Sequence, residues 1–310
     1  MIKTAGKLLS FFLLSILGIL LFTSLPVLIY DYSVLMNNTR LIDTGQLDNN
    51  SFLTNSIQFE LHAYLQQLKF TVQQIMDLTQ TTYYSNGSDY QLLPAFLEVY
   101  PQSLSFFMGG LLASLLVGIS FAVIYMIFPY HIRLIIKKII LAIETLPDVF
   151  IIILVQLTVI WFYKTTGLLM FNIVNVYKTE AYFLPIFTIS ILPTLYVTKY
   201  LILSMEDESN KSYIEFARGK GLKSIYLIIV YMLKNTAPSL FGQTKTIFWI
   251  LLSNLLILEI IFNIYGIMRF IAEYGVENPH LAAICMIAIF LPFFIIFATG
   301  SLLIRKLDPR

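Results

Sequence analysis

The chain has 310 residues, of which 58% are hydrophobic and only 12% are charged, and its formal net charge is +2. Soluble domains carry about 25% charged residues, and a soluble chain of this length cannot enclose so much apolar surface in one core. The composition therefore predicts a polytopic membrane protein and excludes a basic nucleic-acid-binding domain. The single cysteine, Cys285, lies in an apolar run, which excludes a disulfide framework and favours a small buried hydrophobic residue.

Six stretches of the sequence are apolar over the roughly 20 residues that a bilayer-spanning helix needs. We expect the first stretch to be a retained span, so that residues 1–30 hold an N-terminal transmembrane helix. Its apolar region is longer than the core of a secretory signal, and no small-residue cleavage site follows it. The sequence thus predicts an all-α polytopic membrane protein with six transmembrane helices. The predicted spans are Leu8–Tyr30, Leu104–Phe128, Ile139–Tyr163, Ala181–Met205, Thr246–Ile264 and Leu281–Ile304.

The basic residues are distributed unequally between the two sides of these spans. If the N-terminus is cytoplasmic, five basic residues lie outside, namely Arg40, Lys69, Lys164, Lys178 and Arg269. Because lysine and arginine concentrate on the cytoplasmic side, both termini are predicted to be cytoplasmic. Lys199 lies near the inner end of its span and is left out of the comparison. The inner side then holds 14 basic residues, namely Lys3, Lys7, Arg133, Lys137, Lys138, Lys211, Arg218, Lys220, Lys223, Lys234, Lys245, Arg305, Lys306 and Arg310.

The first long connection, residues 31–103, is predicted to form an extracytoplasmic segment. Apolar residues in it recur every three or four positions, which predicts an amphipathic helix packed on another part of the protein. The stretch YYSNGSDY predicts a turn. Two interpretations stay open, a small structural cap and a docking surface for an external partner. The apolar positions are Phe59, Leu61, Leu65, Leu68, Val72 and Ile75.

The second long connection, residues 206–245, is predicted to be cytoplasmic and contains YIEFARGKGLKSIYLIIVYMLKN. This stretch does not fit a phosphate-binding P-loop, because no glycine stands five residues before Gly219 and Gly221 interrupts the Gly-Lys-Ser/Thr pattern. It also lacks the interleaved aromatic residues of a nucleic-acid patch. We therefore interpret it as a turn between helices that faces the cytoplasm.

The same connection carries the signals of two helices. The acidic residues 206–208 and Ser209 predict the start of a first helix, and Gly219 and Gly221 predict its end and a turn. A second amphipathic helix follows and is predicted to break at Pro238. A helix, a glycine turn and a second helix at the membrane face suit contact with a cytoplasmic partner.

Polar residues inside the predicted spans are a further group of candidates, because polar groups are costly in lipid and face a cavity or a neighbouring helix. Glu144 and Asp148 stand four residues apart around Pro147, and are expected on one helical face. Glu259 and Asn263 repeat this spacing, with Asn254 five residues before Glu259. These residues line a translocation pathway or make interhelical hydrogen bonds. For Glu144 and Asp148 the interhelical role is favoured.

Four segments resemble a known family in order and spacing. Glu215-Phe216-Ala217, with Gly221 six residues after the glutamate, is similar to the E-A-A-x-x-x-G loop of binding-protein-dependent ABC importer permeases. Phe216, Tyr265 and Met268 depart from the pattern, which indicates a divergent member. The segments that resemble the oligopeptide/dipeptide/nickel branch, over roughly Leu104 to Arg310, are YIEFARGKGLKSIYLIIVYMLKNTAP, EIIFNIYGIMRFI, ENPHLAAICM and LDPR.

The resemblance implies a type I ABC importer permease fold, with a five-helix core in residues 104–310 and a coupling helix in the loop 206–245. It implies a transporter subunit, not an enzyme, that forms half of the translocation pathway in a bacterial cytoplasmic membrane. No cofactor or metal is implied in this chain, because ATP and magnesium would be bound by the partner ATPase. The residues implied to contact that ATPase are Glu215, Ala217, Arg218, Lys220, Gly221 and Leu222.

The implied partners are a second homologous permease, one or two ABC ATPase subunits, an extracytoplasmic substrate-binding lipoprotein and membrane lipid, with no nucleic acid. The implied substrates are di- and oligopeptides, and nickel or a metal chelate is the alternative within the branch. From another class, an ion-coupled secondary transporter would use Glu144, Asp148 and Glu259 as ion sites. A membrane sensor that receives its signal through residues 31–103 would leave the Glu215–Gly221 pattern unexplained.

Overall fold

The computed structural model describes residues 2–29, 41–42, 59–85, 87–169, 171–175 and 181–307. Residues 31–40 and 43–58 of the predicted segment 31–103, and the terminal residues Asp308 to Arg310, lie outside this range. So do Arg40 and Lys178, which entered the comparison of basic residues. The described chain is mostly helical, with one small antiparallel hairpin. This agrees with the predicted polytopic helical fold and with a type I ABC importer permease.

The structural elements follow one another with short connections. In chain order the helices and strands are α1 (Ile2–Thr23), α2 (Leu25–Ile29), α3 (Leu61–Met76), β1 (Thr82–Ser85), β2 (Ser88–Gln91), α4 (Leu92–Ile127), α5 (Tyr130–Glu144), α6 (Asp148–Thr166), α7 (Phe183–Ser209), α8 (Ser212–Gly219), α9 (Ser224–Gly242), α10 (Thr244–Ile261), α11 (Ile267–Tyr274) and α12 (Pro279–Leu307). Within α9 the segment Leu227–Leu233 has π-helical hydrogen bonding, flanked by α-helical Ser224–Tyr226 and Lys234–Gly242.

Six helices of the described chain, α4, α6, α7, α9, α10 and α12, are long and apolar enough to cross a membrane. Five of them overlap predicted spans, and α4 begins at Leu92, so that residues 92–103 of the predicted extracytoplasmic segment are helical and continuous with the span. The first predicted span corresponds to α1, whose apolar part Leu8–Thr23 is shorter than any of these six helices. The sixth, α9, lies in the segment that was predicted to be a cytoplasmic loop.

The contacts of α9 show which direction it takes along its neighbours. Asn235 of α9 donates to Glu208 near the end of α7 (3.0 Å). Gln243, between α9 and α10, accepts a hydrogen bond from Tyr196 in the middle of α7 (2.7 Å). Past the end of α10, the carbonyl of Phe262 accepts from the N–H of Asn175, shortly before α7 begins (2.9 Å). The helices α9 and α10 therefore run in the same direction, opposite to α7, and α9 makes no separate return crossing.

Two predicted helix boundaries are wrong. The predicted third span, Ile139–Tyr163, is interrupted, because α5 ends at Glu144 and α6 begins at Asp148. Pro147 between them has extended backbone angles (ψ 141°), as expected where a proline lacks the N–H that a continuing helix needs. Pro238, which was predicted to break a helix, lies inside the last part of α9 instead. There the preceding π-helical turn alters the hydrogen-bonding pattern upstream of the proline.

The described residues form two compact units. One comprises residues 1–102 and 265–298, and the other residues 103–264 and 299–310. This division differs from the predicted segments 1–30, 31–103 and 104–310, since the chain from Tyr265 to Ala298 groups with the N-terminal third. In the first unit the hairpin packs on the chain around α11, where Asn278 accepts from the Tyr84 N–H (2.8 Å) and donates to the Tyr84 carbonyl (3.1 Å).

The core of the first unit is apolar and includes the single cysteine. Leu92, Val99, Phe270 and Leu281 are fully or almost fully buried there, together with Cys285. The interpretation of Cys285 as a small buried hydrophobic residue is confirmed. The turn predicted in YYSNGSDY is also present, since β1 and β2 pair antiparallel and Gly87 between them has a φ of +84°.

The amphipathic helix predicted in the N-terminal connection is present as α3, but the prediction of its buried face is wrong. Leu61, Leu65 and Val72 are exposed, whereas Gln67 and Thr71 are the buried residues. The two polar side chains tolerate burial because they hydrogen-bond each other, with Gln67 Nε2 donating to Thr71 Oγ1 (3.4 Å).

In the second unit the helices α4, α7 and α10 pack closely on one another. A Cβ at Gly118 of α4 would lie 2.7 Å from a methyl group of Val197 in α7, so this position admits only glycine without a shift of the neighbouring helix. Val197, Leu201, Leu251 and Leu258 are completely buried at these contacts. The unit therefore has a rigid apolar centre that positions the polar residues at its ends.

Candidate functional site

The predicted coupling segment forms the eight-residue helix α8, from Ser212 to Gly219. After it the chain turns at Gly221, whose φ is +79°. The N–H of Gly221 donates to the carbonyl of Arg218 (2.9 Å). No neighbouring atom lies within 4 Å of a Cβ built on Gly221, so the glycine is required by the backbone conformation and not by space. The predicted turn is confirmed at Gly221, whereas Gly219 is the last helical residue and has no positive φ.

The helix α8 has an inward and an outward face. Ile214 and Ala217 are buried against the rest of this chain. The small side chain of Ala217 therefore allows α8 to approach its own protein, and its implied contact with the ATPase stays a prediction. Phe216 is 64% exposed, and Lys220 Nζ lies 4.4 Å from the centre of its ring, a cation–π distance.

The exposed face of α8 and its flanks is basic. Glu215 is the one acidic residue among the exposed ionisable side chains between positions 211 and 223. The basic ones are Lys211, Arg218, Lys220 and Lys223. Among the other implied contact residues, Leu222 is 36% exposed. The helix thus presents an aromatic side chain surrounded by positive charge.

A buried carboxylate attaches α8 to two other helices. Glu208, near the end of α7, is only 6% exposed. It accepts hydrogen bonds from the hydroxyl of Tyr213 in α8 and from Asn235 in α9, and it forms an ion pair with Lys211. Asn235 also donates to the Tyr213 oxygen (2.8 Å). The carboxylate is therefore paired and hydrogen-bonded, as a buried charge must be.

This arrangement corrects the predicted start of the helix. The acidic residues 206–208 and Ser209 belong to the last turn of α7 and do not begin α8. At the polar end of α7, the half-buried carboxylate of Glu206 also has partners. Glu206 accepts from Tyr125 of α4 (2.8 Å) and pairs with Lys137 of α5 (2.6 Å).

Sequence reasoning missed these anchoring residues. Tyr125 and Lys137 stand 81 and 69 residues from Glu206, and Asn235 stands 27 residues from Glu208, so no short spacing connects these partners. Tyr213, five residues after Glu208, is the near partner. The one available signal was the run Glu206-Asp207-Glu208 directly after an apolar span, since charge at the end of a span requires a partner or water.

The predicted pair Glu144 and Asp148 is separated in the structure. Glu144 is the last residue of α5 and Asp148 the first of α6, so they do not share a helical face. Glu144 pairs with Lys199 of α7 (2.5 Å). Asp148 accepts a hydrogen bond from Asn254 of α10 (2.9 Å). Each residue connects two helices, which is the interhelical role that was favoured for both.

Glu259 is completely buried in α10 and accepts a hydrogen bond from Ser103 of α4 (2.6 Å). Asn263, four residues later, lies beyond the helix with a φ of 52° and donates to the Asn175 carbonyl (3.1 Å). The predicted repeat of the four-residue spacing on one helix is therefore wrong. A role of Glu144, Asp148, Asn254 or Glu259 in a pathway stays a prediction. Within the described part of the chain, no three potential metal ligands come together.

The fold and this site define a multi-pass helical membrane protein that presents an anchored loop helix. A family model described as "Binding-protein-dependent transport system inner membrane component" matches residues 114–310, which is more than half of the chain. The chain therefore belongs to this family and is a permease subunit of a binding-protein-dependent ABC transporter. The family is the membrane component of such transporters and is not itself catalytic. A comparison with curated proteins finds no match.

Proposed function

We propose that this chain forms half of the translocation pathway of an ATP-driven importer of di- and oligopeptides, and that α8 is the helix on which a separate ATPase subunit docks. The observation that carries the proposal is the exposed, basic face of α8 around Phe216, on a helix that Glu208 holds against α7 and α9. Exposure of the large aromatic side chain of Phe216 to water is unfavourable, and a docked partner would remove it from water.

The chemistry of the exposed face indicates the chemistry of its partner. An exposed aromatic side chain ringed by polar groups is the kind of residue that dominates binding energy when it enters a pocket. The positive charges around Phe216 match an acidic rim, and Glu215 matches a basic residue within it. We expect the ATPase groove to combine an apolar pocket with acidic residues at its edge.

Movement of the ATPase would reach the spans through the contacts of Glu208. When the ATPase subunits close on ATP, α8 moves with them, and Tyr213 moves with α8. Because Glu208 binds both Tyr213 and Asn235, the displacement passes to the end of α7 and to α9. The helix α9 continues into α10 in the same direction. A displacement of α8 would therefore move α7 and, through α9, also α10.

The excess of lysine and arginine at the α8 end of the spans supports an orientation with α8 and both termini in the cytoplasm. A bacterial cytoplasmic membrane is the proposed location. The proposed complex contains this chain, a second homologous permease, one or two ATPase subunits that bind ATP and magnesium, and an extracytoplasmic binding lipoprotein that delivers the substrate.

Peptide is the proposed substrate because four segments resemble the oligopeptide/dipeptide/nickel branch. Nickel or a metal chelate is the alternative within that branch. Ion-coupled transport without an ATPase is less well supported, because Glu144, Asp148 and Glu259 each have a partner within this chain. The described part of the chain offers no cluster of metal ligands for a coupling ion.

Co-purification of the ATPase with tagged permease tests the docking role. We expect Gly221→Val to lose the ATPase, since a β-branched residue is strained at a φ of +79°. Gly219→Val is the matched control, because Gly219 has ordinary helical backbone angles and open space around it. Equal retention of the ATPase by both variants would contradict the proposal.

Uptake measurements separate the candidate substrates. In a strain that lacks the permease, restored expression is expected to recover uptake of radiolabelled dipeptide or oligopeptide. Recovery of radiolabelled nickel uptake alone would assign the protein to the metal alternative. Uptake that persists after deletion of the partner ATPase would indicate the ion-coupled mechanism.

A further inference from the structure

The helix α3 has three edges with different surroundings. Gln67 and Thr71, four residues apart, are buried against the protein. Gln66 and Gln73 lie on a second edge that is exposed, and Phe70 between them (42% exposed) contacts the ring of His280 (5.4 Å between ring centres). The third edge is exposed and apolar, and it consists of Leu61 (64% exposed), Leu65 (55%), Val72 (43%) and Met76 (84%).

This distribution is the reverse of that expected for a helix in water. A surface helix of a soluble protein turns its apolar stripe to the core and its polar residues to the solvent. Here the buried edge, which carries Gln67 and Thr71, makes the contact with the protein. The apolar edge stays exposed in the described chain. The medium beside that edge must therefore itself be apolar, or a partner must cover it.

Both ends of α3 rest on apolar helices. At its start, the N–H of Glu60 donates to the carbonyl of Leu28 in α2 (3.1 Å), and the hydroxyl of Tyr64 donates to the carbonyl of Leu21 in α1 (3.1 Å). The side chains of α1 are themselves widely exposed and apolar, for example Leu14 (67%) and Phe22 (65%). Lipid tails solvate a membrane helix of this kind, so α3 begins at the level where α1 leaves the hydrocarbon region.

At its other end, α3 meets the spans α4 and α12. Ile75 and Leu78 line an apolar cavity of about 180 Å³ together with Leu92 and Phe96 of α4 and Ile287 and Leu291 of α12. A helix of 16 residues is about 24 Å long, and both of its ends are thus tied to helices that cross or enter the bilayer. These attachments hold α3 along the membrane surface and continue the apolar surface of α1.

We propose that α3 is an interfacial helix whose apolar edge, formed by Leu61, Leu65, Val72 and Met76, is inserted among the lipid acyl chains of the leaflet at which α1 ends. Gln66 and Gln73 face the water, and Lys69, exposed beside the apolar edge, reaches the headgroups. Its long apolar stem and charged end suit that boundary. Interfacial helices of other proteins have the same division between an apolar and a polar face.

A spin-label experiment on the assembled transporter in lipid nanodiscs tests this proposal. Leu65→Cys and Val72→Cys label the apolar edge, and Gln66→Cys and Gln73→Cys are the matched controls on the polar edge. The parent chain is the background, since Cys285 is completely buried. Met76→Cys replaces either apolar-edge variant that does not assemble.

We expect oxygen, which dissolves in lipid, to enhance the relaxation of labels at positions 65 and 72 strongly. A water-soluble nickel chelate should enhance the relaxation of these two labels only weakly. Labels at positions 66 and 73 should show the opposite ranking. Equal access of the nickel chelate to both edges would overturn the proposal. Protection of positions 65 and 72 from both reagents, or protection that requires the external binding protein, would also overturn it and identify the edge as a protein contact. None of these outcomes depends on whether α8 binds an ATPase.

Discussion

Tyr213 in the short helix α8 donates a hydrogen bond to the buried carboxylate of Glu208 near the end of α7. Asn235 of α9 donates to the same carboxylate (3.0 Å) and to the Tyr213 oxygen (2.8 Å). One acidic side chain thus joins the exposed loop helix to the two helices that flank it. An exposed helix of eight residues is too short to keep its position without such anchoring.

Replacing Glu208 should uncouple the transporter. Glu208→Ala removes the acceptor that Tyr213 and Asn235 share, and hydrogen bonds to a charged group contribute about 1.5–3 kcal/mol. We expect ATPase subunits to remain bound while substrate uptake per ATP hydrolysed falls several-fold. Glu208→Gln, which keeps an acceptor oxygen, should be intermediate. Asp207→Asn, at the exposed neighbouring position, is the control, and an equal loss in that variant would argue against a specific role of Glu208.

Phe216 should be the main anchor of the ATPase contact. Truncating a central aromatic anchor at an interface costs about 2 kcal/mol or more, which corresponds to roughly 30-fold in Kd. We expect Phe216→Ala to weaken binding of the purified ATPase by this factor in a titration, and Phe216→Leu to retain part of the affinity. Tyr130→Ala, at an exposed aromatic residue of α5 (69% exposed), serves as the control. Unchanged affinity in Phe216→Ala would place the contact elsewhere on the chain.

Asp148 and Asn254 should stabilise the contact between α6 and α10. A double-mutant cycle of Asp148→Ala and Asn254→Ala is expected to give a coupling free energy of about 0.6–1.7 kcal/mol, the range for interhelical hydrogen bonds in membranes. Thermal unfolding of the purified protein measures it. Ser253→Ala, at the exposed neighbour of Asn254, should be additive with Asp148→Ala. A raised KM for uptake with unchanged thermal stability would instead assign the pair to the pathway.

Asn278 should hold the hairpin to the chain that precedes α12. Its side chain, 2% exposed, pairs with both backbone groups of the buried Tyr84. Loss of a buried hydrogen-bond partner costs about 1–3 kcal/mol, so Asn278→Ala should speed hydrogen exchange at the Tyr84 amide at least tenfold. Asn278→Asp keeps the acceptor for that amide and should exchange more slowly than Asn278→Ala. Identical exchange in the parent and Asn278→Ala would contradict this role.

The features that depend on composition or on local backbone chemistry were predictable from the sequence. Apolar runs long enough to span a bilayer identify a polytopic helical protein. In lipid the backbone N–H and C=O groups must bond to each other, and a helix achieves this within a single segment. The turn at Gly221 was predictable because glycine, which has no Cβ, adopts a positive φ at little cost. The motif around Glu215 also indicated the family to which the chain belongs.

The partners of the polar residues were not predictable, because they depend on which helices pack together. Glu144 and Asp148 are four residues apart in sequence, yet Pro147 separates their helices and they pair with Lys199 and Asn254. Glu208 looked like the start of α8 and is instead the anchor at the end of α7. No local spacing encodes a contact between residues 208 and 235.

The sequence by itself determined the membrane class, the charge difference between the two sides of the spans and the position of the glycine turn, since each follows from local chemistry. Only the tertiary structure decided that Ala217 faces its own protein while Phe216 is exposed. It also decided that α3 buries Gln67 and Thr71 and exposes Leu65. The physical reason is that an amphipathic pattern reveals which residues share a helix face, whereas the surroundings of that face depend on how the other helices pack.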